Sequence, residues 1–472
     1  MRFTAVEKIK QWFRERRERI KIPLGVIIGI CVFPLVLIAL FYLLRTSVGA
    51  MDWVSIYVAL PIRSFFGLLS SIYPFAIMEI LCTFAVIFLI YYIIKSIRDT
   101  SRRRGKWKML GKRLLPILVV ACYIWSAFCW LWNSGYHATG FAERNGFTGG
   151  GGTVEELIVV TEFFAENANE LSLLVERDRD GQYIFDRRTM FEESTQIYRN
   201  ISQEFPSLRG RLYAPKPMLF SWLMSITGYE GMYFALTGEA MINTHPPGVF
   251  MPVVVAHEHA HQLGVFAEDE ATFVGILASI TSGNLVFEYA GYMSGLGRLL
   301  NALAFEDAEA WHRIVNGLTD EVKRDRQDNF DFWAAQTVSN TGVDFLDNIF
   351  TSVMEATSDA VDTIYDGFLR SQNQELGIRS YGASVNLLIE YFYVIALEWN
   401  AEKLEAESEQ EQEQSDRDDQ GPDDENNQDS NDENGQEPDD ENNQDSNDEN
   451  GQEPDNENNR ESSDGSDQES DD

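Results

Sequence analysis

The sequence predicts a membrane-anchored α+β protein. Three N-terminal transmembrane helices are expected to precede a mainly helical domain with a small sheet, and a disordered acidic tail is expected to follow it. Three observations lead to this prediction. Long apolar stretches without charges occur within residues 22–133, helical periodicity with one short run of β-forming residues fills residues 134–400, and low-complexity acidic sequence fills residues 401–472.

The predicted membrane region contains three apolar stretches of about the 20 residues that a helix needs to cross a bilayer. A further apolar segment, Trp53 to Tyr73, contains Pro61 and Arg63. We therefore interpret that segment as an interfacial hairpin on the outer side of the membrane and not as a fourth span. The predicted spans are 22–44, 75–94 and 114–132.

Basic residues indicate how the chain is oriented. Residues 1–21 and the loop at 95–113 are rich in lysine and arginine, and such segments stay on the cytoplasmic side. Three spans then place the domain and the acidic tail outside the cytoplasm, in a multi-pass membrane protein whose N-terminus is cytoplasmic. All four cysteines fall in the spans, so the exported domain has none for disulfides or metal ligation: Cys31, Cys82, Cys122 and Cys129.

The net charge of −36 comes mostly from the tail, which holds 31 of the 74 acidic residues but 3 of the 38 basic ones. A sixteen-residue acidic repeat, marked by Pro422, Pro438 and Pro454, contains no aromatic residue. Such sequence cannot bury a core and is expected to be a disordered, solvated spacer. The rest of the chain is nearer neutral, and no nucleic-acid partner is expected.

The most informative motif is His257-Glu258-x-x-His261. Residues four apart lie on one face of a helix, so His257 and His261 can point two imidazoles at one zinc ion. Glu258 then lies beside the open coordination position, where a general base is needed to take a proton from water. Pro252 suits the start of this helix and Gly264 its end.

A third metal ligand is expected shortly after the motif. A histidine at position 267 would complete a three-histidine site, but Ala267 stands there. A carboxylate is the alternative, and Glu268, at the start of a second predicted helix, is the first choice. Glu270 is the second choice and Glu288 the third. His259 projects away from both ligand positions and is interpreted as a packing histidine.

The segment Gly231–Asn243 contains β-forming residues and a central glycine. It predicts a strand or short hairpin directly before the motif. An edge strand in this place would pair with an extended substrate, and an ordinary sheet strand is the alternative. Helices are predicted at 153–174, 192–204, 216–227, 268–279, 284–303, 343–369 and 381–399.

Taken together, these segments resemble a bacterial membrane protein family of unknown function, family 3810, over roughly residues 50–397. That family resembles zincin metallopeptidases with a glutamate ligand, which implies a zincin-like domain and supports Glu268 as the ligand. Thr272 stands where such peptidases usually have Asn or Asp, and Tyr292 or Tyr381 is a candidate for stabilising the oxyanion. The resemblance rests on Tyr73–Ile80, Pro215–Pro217, Gly228–Phe234, Thr237–Ala240, Glu268–Phe273, Tyr292 and Gly377–Gly382.

We therefore expect a membrane-anchored, zinc-dependent metallopeptidase with one Zn²⁺ ion. It would hydrolyse amide bonds of a peptide or protein outside the cytoplasm, with Glu258 as general base. Two alternatives remain at this point. One is a non-catalytic envelope scaffold or binding protein that zinc stabilises, and the other is a zinc amidase that acts on cell-wall material.

Overall fold

A computed structural model describes residues 23–101, 106–336 and 380–419. This part of the chain is mainly helical and contains one small mixed sheet, as the sequence predicts. The described residues up to Ser408 belong to one compact unit that includes the apolar N-terminal helices. The predicted helix at 343–369 and the acidic repeats from residue 420 onward lie outside the described residues.

The N-terminal region contains helices α1 (Leu24–Leu44), α2 (Val48–Ser70), α3 (Ile77–Ser101) and α4 (Lys106–Phe128). A π-helical turn, Cys129–Asn133, and a short helical turn, Ser134–Tyr136, extend α4. Within the described ranges, four segments are long and apolar enough to cross a membrane, namely Leu24–Leu44, Val48–Ser70, Ile77–Asp99 and Gly111–Tyr136. Three of them correspond to the predicted spans.

The additional segment, α2, corrects one expectation. The sequence predicts a hairpin here, but the chain is helical without interruption from Val48 to Ser70. Its middle part, Ser55–Ala59, is a π-helical stretch immediately before Pro61. Proline lacks an N–H and crowds the carbonyl four residues earlier, and a local π-bulge accommodates both effects without breaking the helix.

One face of α2 is buried and the opposite face is apolar and exposed. Most of the buried residues recur every three or four positions and form a single stripe: Met51, Ser55, Ala59, Arg63, Gly67 and Ser70. Val54 is buried next to this stripe. At one end Asp52 accepts hydrogen bonds of 2.8 Å from the backbone N–H and the hydroxyl of Thr139. At the other end the Ser70 carbonyl accepts one of 2.6 Å from Lys216 Nζ. Both ends of α2 therefore contact the domain.

The domain is built mostly from helices around one core. Helix α6 begins at a capping box, in which Thr153 and Glu156 cap each other's backbone N–H groups, and it packs along α12. In chain order the helices are α5 Phe141–Arg144, α6 Val154–Ser172, α7 Arg187–Glu193, α8 Ile201–Glu204, α9 Ser221–Ile226, α10 Met251–Leu263, α11 Glu268–Ile280, α12 Leu285–Glu306, α13 Ala308–Asn316, α14 Asp320–Gln336 and α15 Ser380–Asp419.

Three predicted helices differ in extent. The one at 192–204 is broken into α7, a 3₁₀ turn at Ser194–Gln196 and α8. The one at 216–227 is a short strand followed by α9, because Pro217 disfavours helical geometry at the residue before it. The last helix, predicted to end near Trp399, continues to Asp419, so the first part of the segment predicted as disordered is helical.

The sheet has three strands in the order β1-β3-β2. Strand β1 (Lys216–Pro217) is parallel to β3 (Glu239–Ile242), and β2 (Gly231–Phe234) is antiparallel to it. Strands β2 and β3 form the hairpin that was expected around Gly231–Asn243. Gly238, at φ +66°, lies in the turn between them, where a left-handed conformation favours glycine.

A buried ion pair connects this sheet to α3. Lys216 Nζ lies 2.6 Å from Glu239 Oε1, and both side chains are almost inaccessible to solvent. The same carboxylate accepts hydrogen bonds of 2.9 and 3.0 Å from the backbone N–H groups of Ile77 and Met78, at the start of α3. A carboxylate at a helix N-terminus satisfies N–H groups that have no partner within the helix. The start of α3 is therefore fixed to β3.

This pair yields a stability prediction. Glu239→Gln should lower the free energy of unfolding by about 3 kcal/mol, because the Lys216 charge stays buried without its partner. Urea unfolding of the full-length protein in detergent micelles measures the change. Glu192→Gln is the matched control, because Glu192 pairs with Arg188 on the surface and exposed pairs contribute little. Equal stability of the two variants would contradict the assigned role.

Candidate metal centre

Helix α10 carries the motif and has the predicted limits. Pro252 occupies its first turn, and Gly264 ends it at φ +99°, in the left-handed region. This C-terminal turn reverses the chain, so that the Val265 carbonyl lies 2.7 Å from Nδ1 of His261. The glycine that stops the helix therefore also positions a hydrogen-bond acceptor behind one of the expected ligands.

Helix α11 approaches α10 at very short range. A Cβ atom on Gly275 would lie 2.9 Å from the backbone nitrogen of His257 and 3.0 Å from its Cα atom. Only glycine permits this approach without a shift of the backbone. The contact lies two turns after Glu268, so it holds the first turn of α11 against the face of α10 that carries the histidines.

Three side chains converge where these helices meet. The ligand atoms of His257, His261 and Glu268 all lie within 4.8 Å of one another. Oε2 of Glu268 is 3.2 Å from Nε2 of His257 and 3.4 Å from Nε2 of His261. The two imidazole rings are almost perpendicular, with centroids 4.7 Å apart. Two imidazole nitrogens and a carboxylate oxygen are a donor set that suits zinc.

Each histidine has a partner on its other ring nitrogen. The Val265 carbonyl can only accept, so Nδ1 of His261 carries a proton, and Nε2 is the ring nitrogen that faces Glu268. For His257 the partner is the Thr272 hydroxyl, 3.3 Å from Nδ1. Thr272 thus supplies the hydrogen bond that orients the ring of His257. Such partners fix the tautomer of metal-binding histidines.

The electrostatics of the cluster favour a cation. Burial alone would raise the pKa of Glu268, but the imidazoles of His261 and His257 outweigh it and hold the pKa well below its usual value. Burial alone would lower the pKa of His261, but the Glu268 carboxylate outweighs it and raises the pKa to about 9. The pKa of His257 is lowered by burial. An ionised, buried carboxylate thus attracts positive charge to this point, and a divalent ion supplies such charge.

Glu258 lies in a cleft of about 590 Å³ that reaches the two helices. Its side chain is buried, and its Oε2 atom has no hydrogen-bond partner among the described residues. Burial raises the pKa of Glu258 to about 8. Strand β2 comes close at Gly231, where a Cβ atom would lie 2.6 Å from Glu258 Oε1. The carboxylate is therefore held between the ligand cluster and the start of an edge strand.

The other acidic candidates have different surroundings. Glu270 accepts two hydrogen bonds of 2.8 Å, from the backbone N–H groups of Phe141 and Ala142, and so caps α5. Burial raises its pKa to about 7. Glu288 lies in the first turn of α12 and is not part of the ligand cluster. Of the three acidic residues considered, only Glu268 lies in the cluster that could hold a metal ion.

His259 is a packing residue, as interpreted from the sequence. It is fully buried on the opposite face of α10, with Nε2 2.9 Å from the Ser194 hydroxyl. Burial lowers its pKa to about 3, so the ring is neutral. Tyr292 does not line the cleft, because its ring packs edge-on against Phe163 and Phe164. The side chain of Tyr381 lies outside the described residues.

Two residues of the apolar N-terminal region contact the site, and sequence analysis did not identify them. Arg63 of α2 donates a hydrogen bond of 3.2 Å to the His261 carbonyl, and its guanidinium lies 4.8 Å from the centroid of the Phe266 ring. The ring of Trp132, at the end of α4, is 5.4 Å from that of His261. The region predicted as a membrane anchor therefore supports the ligand helix directly.

The lining of the cleft also includes polar residues from α12 and α14. Ser294, Arg298 and Asn301 lie on one face of α12, and Asn329 of α14 is beside them. None of these residues forms a local motif, since their spacing on α12 is that of any helix face. Only the packing of α12 beside α10 and α11 brings them to the cleft.

Comparison with known proteins defines the family. The chain matches the model of the family described as "Protein of unknown function (DUF3810)" over residues 55–389. The protein therefore belongs to this family, whose match includes α3, the sheet and the metal cluster. No curated protein and no solved structure matches the chain.

The acidic pair at the start of α11 gives a direct test of the ligand assignment. Glu268→Gln should abolish stoichiometric metal binding, because it removes the anionic ligand. Glu270→Gln should retain the metal and lower only stability, because it weakens the cap on α5. Elemental analysis and thermal unfolding of the full-length proteins separate the two effects. Metal loss in the Glu270 variant with retention in the Glu268 variant would reverse the assignment.

The contact at Gly275 gives a second test. Gly275→Ala should lower metal affinity at least tenfold, because the added methyl group pushes α11 away from His257. Competition with a chelator measures the affinity. Gly29→Ala is the control, since no atom lies within 4 Å of a Cβ atom added there, and it should bind metal as the wild type does. Unchanged affinity in the Gly275 variant would show that the approach of the helices does not set the site.

Proposed function

We propose that the protein is a membrane-anchored zinc metallopeptidase that hydrolyses peptide bonds outside the cytoplasm. The observation that carries this proposal is the convergence of His257, His261 and Glu268 within 4.8 Å, with the Glu258 carboxylate beside them in an accessible cleft. A purely structural metal site closes its coordination shell with a fourth protein ligand. Among the described residues the cluster has three members and an adjacent base, which supports a hydrolytic role.

The three clustered side chains would hold the ion. When bound, zinc supplies Lewis-acid polarisation of a carbonyl and activation of water. The chain itself contributes ring orientation, because the Val265 carbonyl and the Thr272 hydroxyl hold the two imidazoles with their Nε2 atoms toward Glu268. The ring of Trp132 packs edge-on against His261, and Phe266 packs edge-on against Trp132.

Glu258 is the proposed general base. Its carboxylate takes a proton from the attacking water and transfers it to the amine that leaves when the amide bond breaks. The geometry supports this role because Oε2 has no other hydrogen-bond partner among the described residues. Glu258 is on α10, one residue after one ligand and three before the other, so movement of the helix moves base and ligands together.

Strand β2 is the proposed binding site for the substrate backbone. The Asn243 N–H donates a hydrogen bond of 2.8 Å to the Glu230 carbonyl. This bond shows that Glu230 and every second residue after it direct their backbone groups toward β3. In an antiparallel pair alternate residues point their backbone groups away from the partner strand, so Gly231 and Tyr233 present theirs at the outer edge of β2. No other strand of the described chain pairs with that edge. An extended peptide pairing there would pass Glu258, which favours a peptide over other amides.

The membrane arrangement follows from the N-terminal helices. In the proposed topology α1, α3 and α4 cross the bilayer, and the basic segments at 1–21 and 95–113 are cytoplasmic. Helix α2 lies across the outer side, because both its ends contact the domain. This topology places the cleft outside the cytoplasm.

The role of Glu258 is tested by Glu258→Gln. The variant should retain stoichiometric zinc and cleave about a hundredfold to ten-thousandfold more slowly, which is the range for loss of a general base. A library of quenched fluorescent peptides, assayed with the full-length protein in detergent, provides the rates. Glu288→Gln is the matched control and should cleave at the wild-type rate. Zinc-loaded wild type that cleaves none of the peptides would favour a binding or scaffold role.

A further inference from the structure

A group of large apolar side chains is exposed around α9. Leu219 and Trp222 are 54% and 56% exposed, and Phe220 and Leu223 are also exposed. We call these four residues the apolar rim. A cluster of this kind on a soluble surface is unfavourable and marks a contact with a partner or a membrane. Its neighbours indicate which of the two it contacts.

The apolar rim is fixed to the start of α3. The backbone N–H groups of Leu219 and Phe220 donate hydrogen bonds of 2.7 and 3.1 Å to the Glu79 carboxylate, in the first turn of that helix. Met218, just before the rim, packs against Ala76. Because Ile77–Asp99 is one of the candidate spans, the rim lies at the level where this span begins.

The apolar surface is continuous from the rim to the N-terminal helices. Ile72, Tyr73 and Phe75, in the connection from α2 to α3, are exposed. The outward face of α2 is exposed and apolar as well, and it includes Phe65, Leu68 and Leu69. Aromatic residues such as Tyr73 and Trp222 are typical of the interface between bilayer and water. This continuity identifies the bilayer, and not a protein, as the surface that covers the rim.

The rim is also adjacent to the cleft. Helix α9 has six residues and thus a length of about 9 Å. Thr227 and Gly228, directly after it, line the cleft. Ser225, in its last turn, accepts a hydrogen bond of 2.9 Å from Asn243 Nδ2 at the end of β3, which holds α9 beside the hairpin. One end of α9 therefore belongs to the membrane-facing surface and the other to the cleft.

The sheet independently indicates that the cleft lies close to the start of α3. Glu239 of β3 bonds the first N–H groups of α3, and β2 is the next strand. Adjacent strands are about 4.8 Å apart. The edge of β2 that is proposed to bind substrate therefore lies close to the level at which α3 enters the membrane.

We propose that the apolar rim lies in the outer surface of the bilayer and that the cleft takes polypeptides anchored in the same membrane, cutting them near their point of attachment. The substrate class rests on the proposed peptidase function, whereas the position of the rim does not. Anchoring confines the peptide to the membrane surface and raises its effective concentration at a cleft that opens there.

The position of the rim is tested with spin labels. The four native cysteines are replaced by alanine, and single labels are placed by Trp222→Cys and, as a control, by Arg188→Cys on a solvent-exposed side chain. The full-length protein is reconstituted in vesicles of phosphatidylethanolamine and phosphatidylglycerol. The label at 222 should be accessible to oxygen and shielded from a water-soluble nickel complex, and the label at 188 should show the reverse. The proposal would be overturned if the nickel complex reached the label at 222 as readily as the label at 188. It would also be overturned if neither reagent reached the label at 222, because protein would then cover it.

The substrate class is tested with one quenched peptide library in two forms, free and palmitoylated, presented to the same vesicles. The palmitoylated form should be cleaved at least tenfold faster. The double variant Leu219→Ser, Trp222→Ser should lose most of this advantage and cleave free peptides at the wild-type rate. Leu173→Ser, Leu174→Ser, which alters two exposed leucines outside the rim, should keep the advantage.

Two outcomes count against this substrate class, and they differ. Equal rates for free and palmitoylated peptides would overturn it and leave the peptidase intact. Cleavage of neither form by zinc-loaded protein would overturn the peptidase proposal and the substrate class with it. The spin-label result decides the position of the rim in either case.

Discussion

The Glu268 carboxylate lies 3.2 Å from Nε2 of His257 and 3.4 Å from Nε2 of His261, and the Glu268 side chain is almost inaccessible to solvent. An ionised carboxylate in such a place is unfavourable by several kcal/mol unless positive charge compensates it. Most features around the site serve this arrangement. Gly275 allows α11 to approach α10, Gly264 turns the chain so that Val265 orients His261, and Thr272 orients His257.

The apolar N-terminal helices belong to this arrangement and are more than a tether. Arg63 of α2 and Trp132 at the end of α4 both contact the ligand helix near His261. On the other side of the hairpin, Lys216 and Glu239 connect the sheet to α2 and α3. A domain cut away at residue 134 would lose these contacts. The orientation of the cleft relative to the apolar N-terminal helices is consequently a fixed property of the fold.

Local patterns predicted the parts of the site that local geometry determines. The spacing of His257 and His261 places them on one face of any helix, and Gly264 stops that helix because it adopts a left-handed conformation readily. The choice between Glu268 and Glu270 is different. Residues two apart on a helix point in nearly opposite directions, so which one faces the histidines depends on the rotation of α11. The contact at Gly275 fixes that rotation, and it is visible only in the tertiary structure.

The features that sequence analysis missed are those that depend on tertiary packing and not on local geometry. Arg63 donates a hydrogen bond to the His261 carbonyl, 198 positions further along the chain. The periodicity of the sequence cannot predict a contact between such distant residues. Pro61 suggested a break because proline usually ends a helix, whereas a π-helical stretch absorbs it in α2. The position of Tyr292 depends on tertiary packing in a similar way, since α12 turns that residue toward Phe163 and Phe164 and turns Arg298 toward the cleft.

X-ray absorption at the zinc edge of the full-length protein tests the central claim most directly. Our account predicts one zinc per chain, with nitrogen and oxygen neighbours at about 2.0–2.1 Å and the outer-shell scattering of two imidazoles. Chains free of metal after purification in the presence of zinc would contradict it. So would sulfur neighbours at about 2.3 Å, because the cluster of His257, His261 and Glu268 contains no cysteine.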